Sequence, residues 1–459
     1  MSQATVIGQP TAAVIGAGPA GFFCAVALLR GECPWRVDLY ERLPVPYGLV
    51  RYGVAPDHPE IKAVSRQFDR VAGNSACTFL GNIEIGRDVS VDELCRAYDA
   101  VILACGAPEH RRLEIPGESL PGSLDATRFV GWYNGHPDYA GTGVDVSSDT
   151  AVVVGNGNVA IDAARILAKS NDELRETDIA SNALEVLRHS GIRTIHILGR
   201  RGPVQSSFST LELRELAELA EFAPASDPSA FLLDAAGRTE LETLCDGQQQ
   251  RAFGVLESYS GEQRDESRPG RLQFHFLCSP IEFQGDERVT GLRVRRNRLE
   301  GEPGRQHAVA TEEEFTIECG LVIRCIGYRA VPIPGAPFDE SGAVVSNQEG
   351  RVLEGEAVIP GLYVAGWLKH GPRGLIGLNK KESSAVIAKV MEDLPRLPRK
   401  PGGGPKALRQ HLQSRGVRIT SFDDWTRIDT AEKERGKSMG KSREKFRAVR
   451  EMLACLDVP

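Results

Sequence analysis

The chain has 459 residues, which is long enough for two or three domains that each bury a core. Hydrophobic residues make up 41% of the chain and charged residues 25%, as in ordinary globular proteins. The net charge of −7 disfavours general binding to nucleic acid. Ten scattered cysteines include no CxxC pair, which disfavours a zinc ribbon or a paired-thiol redox centre and predicts reduced thiols in the cytoplasm.

The beginning of the chain carries no targeting signal that we recognise. MSQATVIGQP has neither a basic region nor an apolar core, so we expect no signal or transit peptide. Residues 12–29 form an uncharged run as long as a membrane span, but three glycines and a proline within it indicate a strand, a turn and a helix. The sequence therefore predicts no membrane insertion.

Residues 12–41 predict a dinucleotide-binding unit. A short apolar strand leads into a glycine-rich turn, a helix and a second strand. Gly16 permits the tight turn, Gly18 lets the backbone approach a pyrophosphate, and Gly21 lets the helix pack on the strand. Glu41 ends the second strand about 20 residues later, where a carboxylate accepts hydrogen bonds from ribose hydroxyls.

A second fingerprint at 150–165 predicts another nucleotide site. The following strand, 194–198, ends in Arg200 and Arg201, where an NAD-binding protein has an acid, so the pattern favours a 2′-phosphate and hence NADP. The spacing to this strand is longer than usual, and we interpret the polar segment 170–190 as a surface insertion. The turn residues expected to contact this nucleotide are Gly155, Asn156, Gly157, Asn158 and Val159.

The middle of the chain is less informative. A helix is predicted over 209–222, with Leu211, Leu216 and Leu219 facing a core, and 224–272 is interpreted as a surface excursion. The arginine-rich strand 289–299 is typical of a solvated strand face. The apolar stretch 314–328 is predicted to be one buried strand.

The third informative stretch is 360–394. A strand over 362–365 precedes a glycine-rich turn, and a helix is predicted from about Glu382, so backbone and helix approach a large cofactor a second time. Residues 401–405, PGGGP, indicate a linker, and the tail beyond it is predicted to be a mostly solvated face.

Two fingerprints in one chain predict two bound nucleotides facing each other. We interpret them as FAD and NADPH, which makes the protein a flavoprotein oxidoreductase. The sequence shows no metal-ligand spacing and no Ser/His/Asp nucleophile motif that competes with this interpretation.

Several longer motifs resemble those of NADPH–ferredoxin reductases of the adrenodoxin-reductase type. They include GAGPAGF, PVPYGLVRYGVAPDHPEIK, GNGNVAIDAARIL, LGRRGPVQSSFSTLELRE and GLYVAGWLKHGPRGLIG. The resemblance extends from about residue 12 into the tail. PVPYGLVRYGVAPDHP and the tryptophan-bearing GWLKHGP are its most specific parts.

The resemblance implies an α/β fold of two Rossmann-like dinucleotide-binding domains, with the NADP domain inserted into the FAD domain. The expected bounds are 1–107 and 332–459 for the FAD domain, tail included, and 108–331 for the NADP domain. By the same resemblance, the FAD contacts include Ala20, Glu41, Leu49, Ile85, Trp367, Gly374, Leu375 and Ile376. The implied NADP contacts are 156–159, Arg200, Arg201, Glu212 and Gly374.

The resemblance also implies a reaction. NADPH gives a hydride to FAD, and the electrons then leave one at a time to an iron–sulfur ferredoxin, so no side-chain nucleophile is needed. His58 and Glu215 match family positions with a polar or proton-handling role near the flavin, although a loop histidine is usually only hydrogen-bonded. Trp367 is expected to cover a ring face of the flavin or nicotinamide, with a core tryptophan as the alternative.

The expected partner is an acidic ferredoxin that meets a basic face near the cleft. Arg214 matches a family position of that kind. The remaining basic positions fall in 224–272, where this sequence departs from the family, and Arg251, Arg264 or Arg268 are candidates to substitute. A monomer is favoured.

Four other functions stay open from sequence alone. A disulfide reductase needs a cysteine pair near the flavin, which the spacing disfavours. A flavin monooxygenase needs a substrate pocket that sequence does not reveal. An NADP(H)-sensing module without turnover, and a general NADPH diaphorase passing electrons to quinones or dyes, are the remaining alternatives.

Overall fold

The structure is a computed structural model. It describes residues 9–31, 35–261, 267–374, 376–397, 400 and 404–457. Two residues singled out above, Arg264 and Leu375, lie outside these ranges, as does most of the glycine-rich 401–405 stretch. Among the described helices, none is both long and apolar enough to cross a membrane.

The strands are numbered in chain order. They are β1 (Thr11–Ile15), β2 (Arg36–Tyr40), β3 (Cys77–Leu80), β4 (Ala100–Leu103), β5 (Glu109–His110), β6 (Ser123–Asp125), β7 (Thr150–Val154), β8 (Thr194–Leu198), β9 (Phe222–Ser226), β10 (Gly270–His275), β11 (Cys278–Gln284), β12 (Gly291–Glu300), β13 (His307–Glu318), β14 (Leu321–Arg324), β15 (Tyr328–Arg329), β16 (Phe338–Asp339), β17 (Val344–Val345), β18 (Asn347–Gln348), β19 (Arg351–Glu354) and β20 (Ala357–Val364).

The α-helices are numbered in the same way. They are α1 (Pro19–Arg30), α2 (Leu49–Tyr52), α3 (Pro59–Lys62), α4 (Ser65–Ala72), α5 (Val91–Ala97), α6 (Ala126–Tyr133), α7 (Asn158–Ala168), α8 (Asn171–Leu174), α9 (Ser181–Arg188), α10 (Thr210–Ala217), α11 (Ala235–Thr239), α12 (Gly247–Ser258), α13 (Trp367–His370), α14 (Ile376–Asp393), α15 (Gly404–Ser414), α16 (Phe422–Ser438) and α17 (Val449–Cys455).

Strands from both ends of the chain form one seven-stranded sheet, in the order β18-β19-β20-β4-β1-β2-β3. The five strands from β20 to β3 are parallel, and β1 lies between β2 and β4. From β1 the chain adds β2 and β3 on one side of that strand and later β4 on the other side. The carboxyl end of β1 is therefore a switch point, where sheets of this kind have a crevice for a ligand.

The middle of the chain forms a second sheet of six parallel strands, in the order β6-β14-β7-β8-β10-β9. Here β7 lies between β14 and β8, so the turn after β7 takes the place that the turn after β1 has in the first sheet. An antiparallel sheet of β11, β12 and β13 packs beside it. Two parallel sheets of this kind confirm the predicted α/β, Rossmann-like fold class.

The interpretation of 170–190 as a surface insertion is wrong. Leu174, Ile179 and Ala183 are fully buried in the core that covers the second sheet. Asp178 pairs with Lys62 at 2.5 Å and with Lys445 of the tail at 2.8 Å. Its polar Asp178 thus connects two distant parts of the chain. Its short helices α8 and α9 bury one face each.

The helix predicted over 209–222 is shorter, because the chain leaves α10 after Ala217 and enters strand β9 at Phe222. Leu216 and Leu219 are buried as expected, whereas Leu211 is 61% exposed and Leu213 takes its place in the core. The segment 224–272 is also more than an excursion, because β9 pairs along β10 and α12 buries Phe253 and Leu256.

The stretch 314–328 is two strands rather than one. The exposed end of β13 and the buried β14 are separated at Cys319 and Gly320. Helix α14, which was predicted to begin at about Glu382, begins six residues earlier at Ile376. The tail is not mainly solvated, because Trp425, Ile428 and Met452 join the core of the first sheet.

Candidate functional site

The turn after β1 has the close packing that its glycines predict. Gly16 has φ +107°, and a Cβ there would lie 2.6 Å from the carbonyl oxygen of Ala104 on the neighbouring strand end. A Cβ on Gly21 would lie 1.9 Å from the carbonyl oxygen of Gly16. By contrast, nothing lies within 4 Å of a Cβ placed on Gly18, the residue that precedes α1. This leaves open space at a helix N-terminus, as an anion site requires.

Glu41 closes the same turn from the end of β2. Its carboxylate accepts hydrogen bonds from the amides of Ala17 at 2.9 Å and Leu43 at 3.2 Å. Burial raises the pKa of Glu41, and the two amides partly offset that increase. The acid is therefore held against the glycine turn by two backbone donors, with further lone pairs free to accept from a ribose hydroxyl.

The loop that follows Glu41 lies over this turn. Tyr47 has φ +87°, and its amide donates to the carbonyl oxygen of Ala17 at 2.7 Å. Gly48 follows with φ +48° against Gly18. The loop then forms the single-turn helix α2, which begins at Leu49, a residue 40% exposed. Leu49, one of the FAD contacts implied by resemblance, thus lies next to the open turn.

The third stretch returns to the first turn. A Cβ on Gly366 would lie 2.7 Å from the Cβ of Ala20, and Ser383 donates to the carbonyl oxygen of Ala20 at 3.1 Å. Trp367 follows, half-buried, stacked on Tyr328 at 5.3 Å between ring centroids. Its indole N–H donates to the carbonyl oxygen of Arg373 at 3.2 Å, which fixes the ring beside the turn.

Four other FAD contacts are implied by the resemblance. Gly374 has φ +79° and an exposed surface, directly before α14. The backbone of Ile376 begins α14, and Leu375 lies outside the described residues. Ile85 is half-buried and packs on the core beside the first sheet. The structure brings Ala20, Glu41, Leu49 and Trp367 to one turn.

The turn after β7 repeats the first one. Gly155 has φ +151°, and a Cβ there would lie 2.3 Å from the carbonyl oxygen of Cys325. Gly157 precedes α7. The segment before α10 covers the turn, since Ser207 donates from its amide to the carbonyl oxygen of Asn156 at 2.8 Å and Ser209 donates to the Asn158 side chain at 2.7 Å. Asn158 and Val159, the first residues of α7, complete the predicted set.

Arg200 and Arg201 lie directly beside this second turn. A Cβ on the preceding Gly199 would lie 2.1 Å from the side chain of Asn156, so the turn and the arginine segment touch. The backbone of the pair is fixed, because Asn297 donates to the carbonyl oxygen of Arg200 at 2.9 Å and Leu277 donates to that of Arg201 at 3.1 Å.

The two guanidinium groups lack an acidic partner. In the part of the chain that the structure describes, no carboxylate oxygen lies within 4.0 Å of either group. Arg200 is exposed and Arg201 half-buried. Burial lowers the pKa of Arg201, and the adjacent charge of Arg200 adds to that effect. Two unneutralised arginines at this position are suited to a phosphate group.

His58 and Glu215, which the resemblance marks as functional, lie 157 positions apart in the sequence and are in contact in the structure. His58 Nε2 lies 2.9 Å from a carboxylate oxygen of Glu215 and 3.8 Å from one of Glu212. His58 is buried, whereas Glu215 is half-buried. Both line a cavity of about 250 Å³ between the loop after α2 and helix α10.

Sequence reasoning missed the residue that organises this pair. Arg165 of α7 has no exposed surface. Its guanidinium lies 2.8 Å from Asp57 and from Asp162, 2.6 Å from Glu212 and 3.0 Å from Glu215. Because four carboxylates outweigh its burial, the pKa of Arg165 is raised above its usual range.

Arg165 also contacts the imidazole ring, with one guanidinium nitrogen 3.4 Å from His58 Nδ1. An arginine only donates hydrogen bonds, so Nδ1 is the acceptor in the neutral ring and Nε2 carries the proton toward Glu215. Lys169 adds a second cation, 2.8 Å from Asp57. Burial raises the pKa of Asp57, but Arg165 and Lys169 outweigh it and hold that pKa below its usual range.

Among the described residues, one group has the composition of a metal site. The ligand atoms of His58, Glu212 and Glu215 lie within 4.8 Å of one another. Arg165 already places a positive charge against both carboxylates. We therefore assign the group to hydrogen bonding rather than to a metal ion.

The sequence and the fold of this chain are similar to those of known proteins. The profile of the pyridine nucleotide-disulphide oxidoreductase family matches residues 10–196. The human protein "NADPH:adrenodoxin oxidoreductase, mitochondrial" is 43% identical over 460 residues, covering 97% of this chain and 92% of that one. The chain belongs to the NADPH:adrenodoxin oxidoreductase family.

Bacterial members of the family are equally similar. "NADPH-ferredoxin reductase FprA" of Mycobacterium tuberculosis is 42% identical over 458 residues, covering 96% of this chain and 98% of its own. The solved structure "Mycobacterium tuberculosis FprA in complex with NADPH" superposes with a TM-score of 0.92, covering 98% of this chain and 99% of that one at 39% identity. The family resemblance drawn from the motifs is thereby confirmed.

Proposed function

We propose that this protein is an FAD-containing reductase that takes a hydride from NADPH and passes electrons singly to an iron–sulfur ferredoxin. The observation that carries this function is the arginine pair at the end of β8, open to solvent, without a carboxylate partner among the described residues, and touching the second nucleotide turn. Family membership over nearly the full length favours this function over the sensing, monooxygenase and disulfide-reductase alternatives.

FAD fits the turn after β1. The open space at Gly18 receives the pyrophosphate at the N-terminus of α1, and Glu41 accepts hydrogen bonds from the ribose. Ala20 and Leu49 lie beside this space, and Trp367 presents an aromatic ring next to it. Ile85, Gly374, Leu375 and Ile376 stay contacts that the resemblance implies. When bound, FAD supplies the chemistry that accepts a hydride and releases single electrons.

NADP(H) fits the turn after β7. Residues 155–159 approach the pyrophosphate, and Arg200 and Arg201 bind the 2′-phosphate through charge-assisted hydrogen bonds. Glu212, which the resemblance implies as a contact, is buried and accepts a hydrogen bond from Arg165 at 2.6 Å, so its role at the coenzyme stays a proposal.

His58 and Glu215 handle a proton at the edge of the cleft. Nε2 of His58 lies 2.9 Å from a carboxylate oxygen of Glu215, and a guanidinium nitrogen of Arg165 lies 3.4 Å from the opposite ring nitrogen. This arrangement keeps one tautomer and leaves Glu215 accessible from the cavity, so that a proton is able to pass between the carboxylate, the ring and water.

The two cofactors are assigned to two domains, each built around one of the parallel sheets. We assign residues 1–107 and 332–459 to the FAD domain and 108–331 to the NADP domain, which agrees with the membership of the strands in the two parallel sheets. The described cysteines are all free, as in a protein of the reducing cytoplasm. A monomer meets the requirements, since both nucleotide turns belong to one chain.

The ferredoxin is acidic and docks at the face that carries Arg214 and Arg251. Both side chains are exposed, on helices α10 and α12, which pack against each other. Arg268 instead donates to the carbonyl oxygen of Ala217 at 2.9 Å and is half-buried, and Arg264 lies outside the described residues. Helix α10 carries Arg214 next to Glu215, so docking there places the acceptor near the cleft.

The direct test of the proposed function is rapid anaerobic mixing of the FAD-loaded protein with NADPH or NADH. Flavin absorbance is expected to bleach with either coenzyme at saturation. At low coenzyme concentration, the rate of bleaching with NADPH is expected to exceed that with NADH by about 10²-fold or more, because only NADPH engages the arginine pair. Absence of bleaching by NADPH, with FAD bound, would overturn the function.

His58→Gln is expected to slow flavin reduction, because it removes the ring that lies between Glu215 and Arg165. FAD content and NADP⁺ affinity should be unchanged. His189→Gln is the matched control, since His189 pairs with Glu185 at 3.1 Å on an exposed helix. An unaltered rate of flavin reduction in His58→Gln would remove the proton-handling role.

A further inference from the structure

A second cavity, of about 240 Å³, shares no lining residue with the two glycine-rich nucleotide turns. Three parts of the chain line it: the segment from Tyr47 to Asp69, Asp178 before α9, and the tail from Trp425 to Lys445. None of the lining residues is among the predicted FAD or NADP contacts. The cavity is half open to solvent and smaller than the roughly 300–1,000 Å³ pockets that hold drug-sized ligands, so its ligand is small.

The walls of this cavity are strongly basic. Three carboxylates line it, against six cations: Arg51, Lys62, Arg66, Lys433, Arg443 and Lys445. One more carboxylate, Glu432, lies behind the wall and binds Arg51 at 2.6 Å and Arg443 at 2.8 Å. The cations still exceed the acids by two when Glu432 is counted.

Two of the arginines have unused hydrogen-bonding capacity. Arg66, at the exposed rim, has no carboxylate within 4.0 Å among the described residues. Arg51 is 6% exposed, and its Nε has no hydrogen-bond partner in that same part of the chain. That nitrogen has almost no accessible surface, so the guanidinium of Arg66 is the free donor that a ligand in the cavity would meet.

The innermost lysines share one acid. Asp178 lies 2.5 Å from Lys62 and 2.8 Å from Lys445, and the side chain of Lys445 is 2% exposed. Burial is the main cause that lowers the pKa of Lys445 to about 7, with Lys62 and Arg51 adding to the decrease and Asp178 opposing it. The inner wall thus holds more positive charge than its carboxylate neutralises.

We propose that this cavity binds a small oxyanion with two negative charges, of the phosphate or phosphate-monoester class. Guanidinium and ammonium groups on several sides match the acceptor oxygens of a tetrahedral phosphate. A dianion offsets the excess of positive charge, which reaches two when Lys445 is protonated, and the open side leaves room for the remainder of a monoester. The bound anion would join the loop that carries Asp57 and His58 to the tail.

The test is calorimetric titration of inorganic phosphate into the FAD-loaded protein saturated with NADP⁺, with ionic strength held constant by chloride. One saturable site is expected in the wild type. Arg66→Gln is expected to weaken phosphate binding about tenfold, because it removes one charge-assisted contact. Arg70→Gln is the control, since Arg70 is equally exposed on α4 but does not line the cavity.

A parallel titration uses the Arg200→Ala, Arg201→Ala double variant, so that phosphate at the arginine pair is not mistaken for phosphate in the cavity. Glycerol phosphate distinguishes a monoester, which should bind at least as tightly as the free ion, from inorganic phosphate alone. Binding that survives in the double variant and weakens in Arg66→Gln supports the site. No saturable binding, or equal weakening by Arg70→Gln, overturns it.

Discussion

Replacing both Arg200 and Arg201 by alanine is expected to reduce kcat/KM with NADPH about 10²- to 10⁴-fold relative to NADH. Each charge-assisted hydrogen bond to a phosphate contributes about 1.5–3 kcal/mol, and two such contacts are lost. Because NADH lacks the 2′-phosphate, the same substitutions remove nothing from it. Steady-state rates with both coenzymes measure the ratio directly.

The chain offers a matched control for this pair. Arg295 and Arg296 are also adjacent, but they lie on β12 and are neutralised by Glu314 and by Glu313, the latter at 2.8 Å. Their double alanine variant should leave both coenzymes unaffected. Equal losses for NADPH and NADH in the Arg200, Arg201 variant would contradict the assignment of the 2′-phosphate site.

Arg165→Met is expected to lower the free energy of unfolding by about 3–5 kcal/mol, the usual consequence of removing one partner from a buried charge network. Arg165 has no exposed surface and contacts four carboxylates, so its loss leaves several buried negative charges without a partner. Urea unfolding followed by circular dichroism provides the measurement. Arg188→Met, on the exposed face of α9, should change stability little.

The pH dependence separates lost charge from lost packing. Without Arg165, the buried carboxylates have folded-state pKa values above their unfolded values. Such groups stabilise the fold when protonated, so the deficit should shrink as pH falls from about 8 to about 5.5. Burial already raises the pKa of Asp162 to about 7 in the intact cluster. A deficit that does not change with pH would indicate that Arg165 acts through packing alone.

The nucleotide turns were predictable because each is a local pattern with a single physical requirement. Gly16 and Gly21 leave no space for a side chain, and Glu41 follows at the spacing of the next strand end. Arg200 and Arg201 were predictable for the same reason, because they follow the end of strand β8, despite the long connection between β7 and β8. Leu49, Ile85 and Glu212 came only from the family resemblance, since no local pattern marks them.

The cluster around Arg165 was not predictable, because its contacts are far apart in sequence. Asp57 lies 108 positions from Arg165 and Glu212 lies 47 positions away. Within α7, an arginine among alanines and leucines is typical of a helix surface. The segment 170–190 failed in the same way, because its polar Asp178 is paired with Lys445 at the other end of the chain.

Helix α14 shows a different limit. Its first turn contains Gly377 and is followed by Asn379, Lys380 and Lys381, which resemble a polar loop. The helix nevertheless forms from Ile376, because its later part packs along α1, with Val386 and Val390 fully buried. Tertiary packing decided a boundary that intrinsic propensity left open.

The most direct test of the central claim is reduction of cytochrome c by the FAD-loaded protein and NADPH, with and without an acidic [2Fe–2S] ferredoxin. The account predicts strong stimulation by the ferredoxin, which weakens as salt is added because the docking face is charged. No stimulation, despite rapid flavin reduction by NADPH, would contradict ferredoxin as the electron acceptor and leave a general diaphorase.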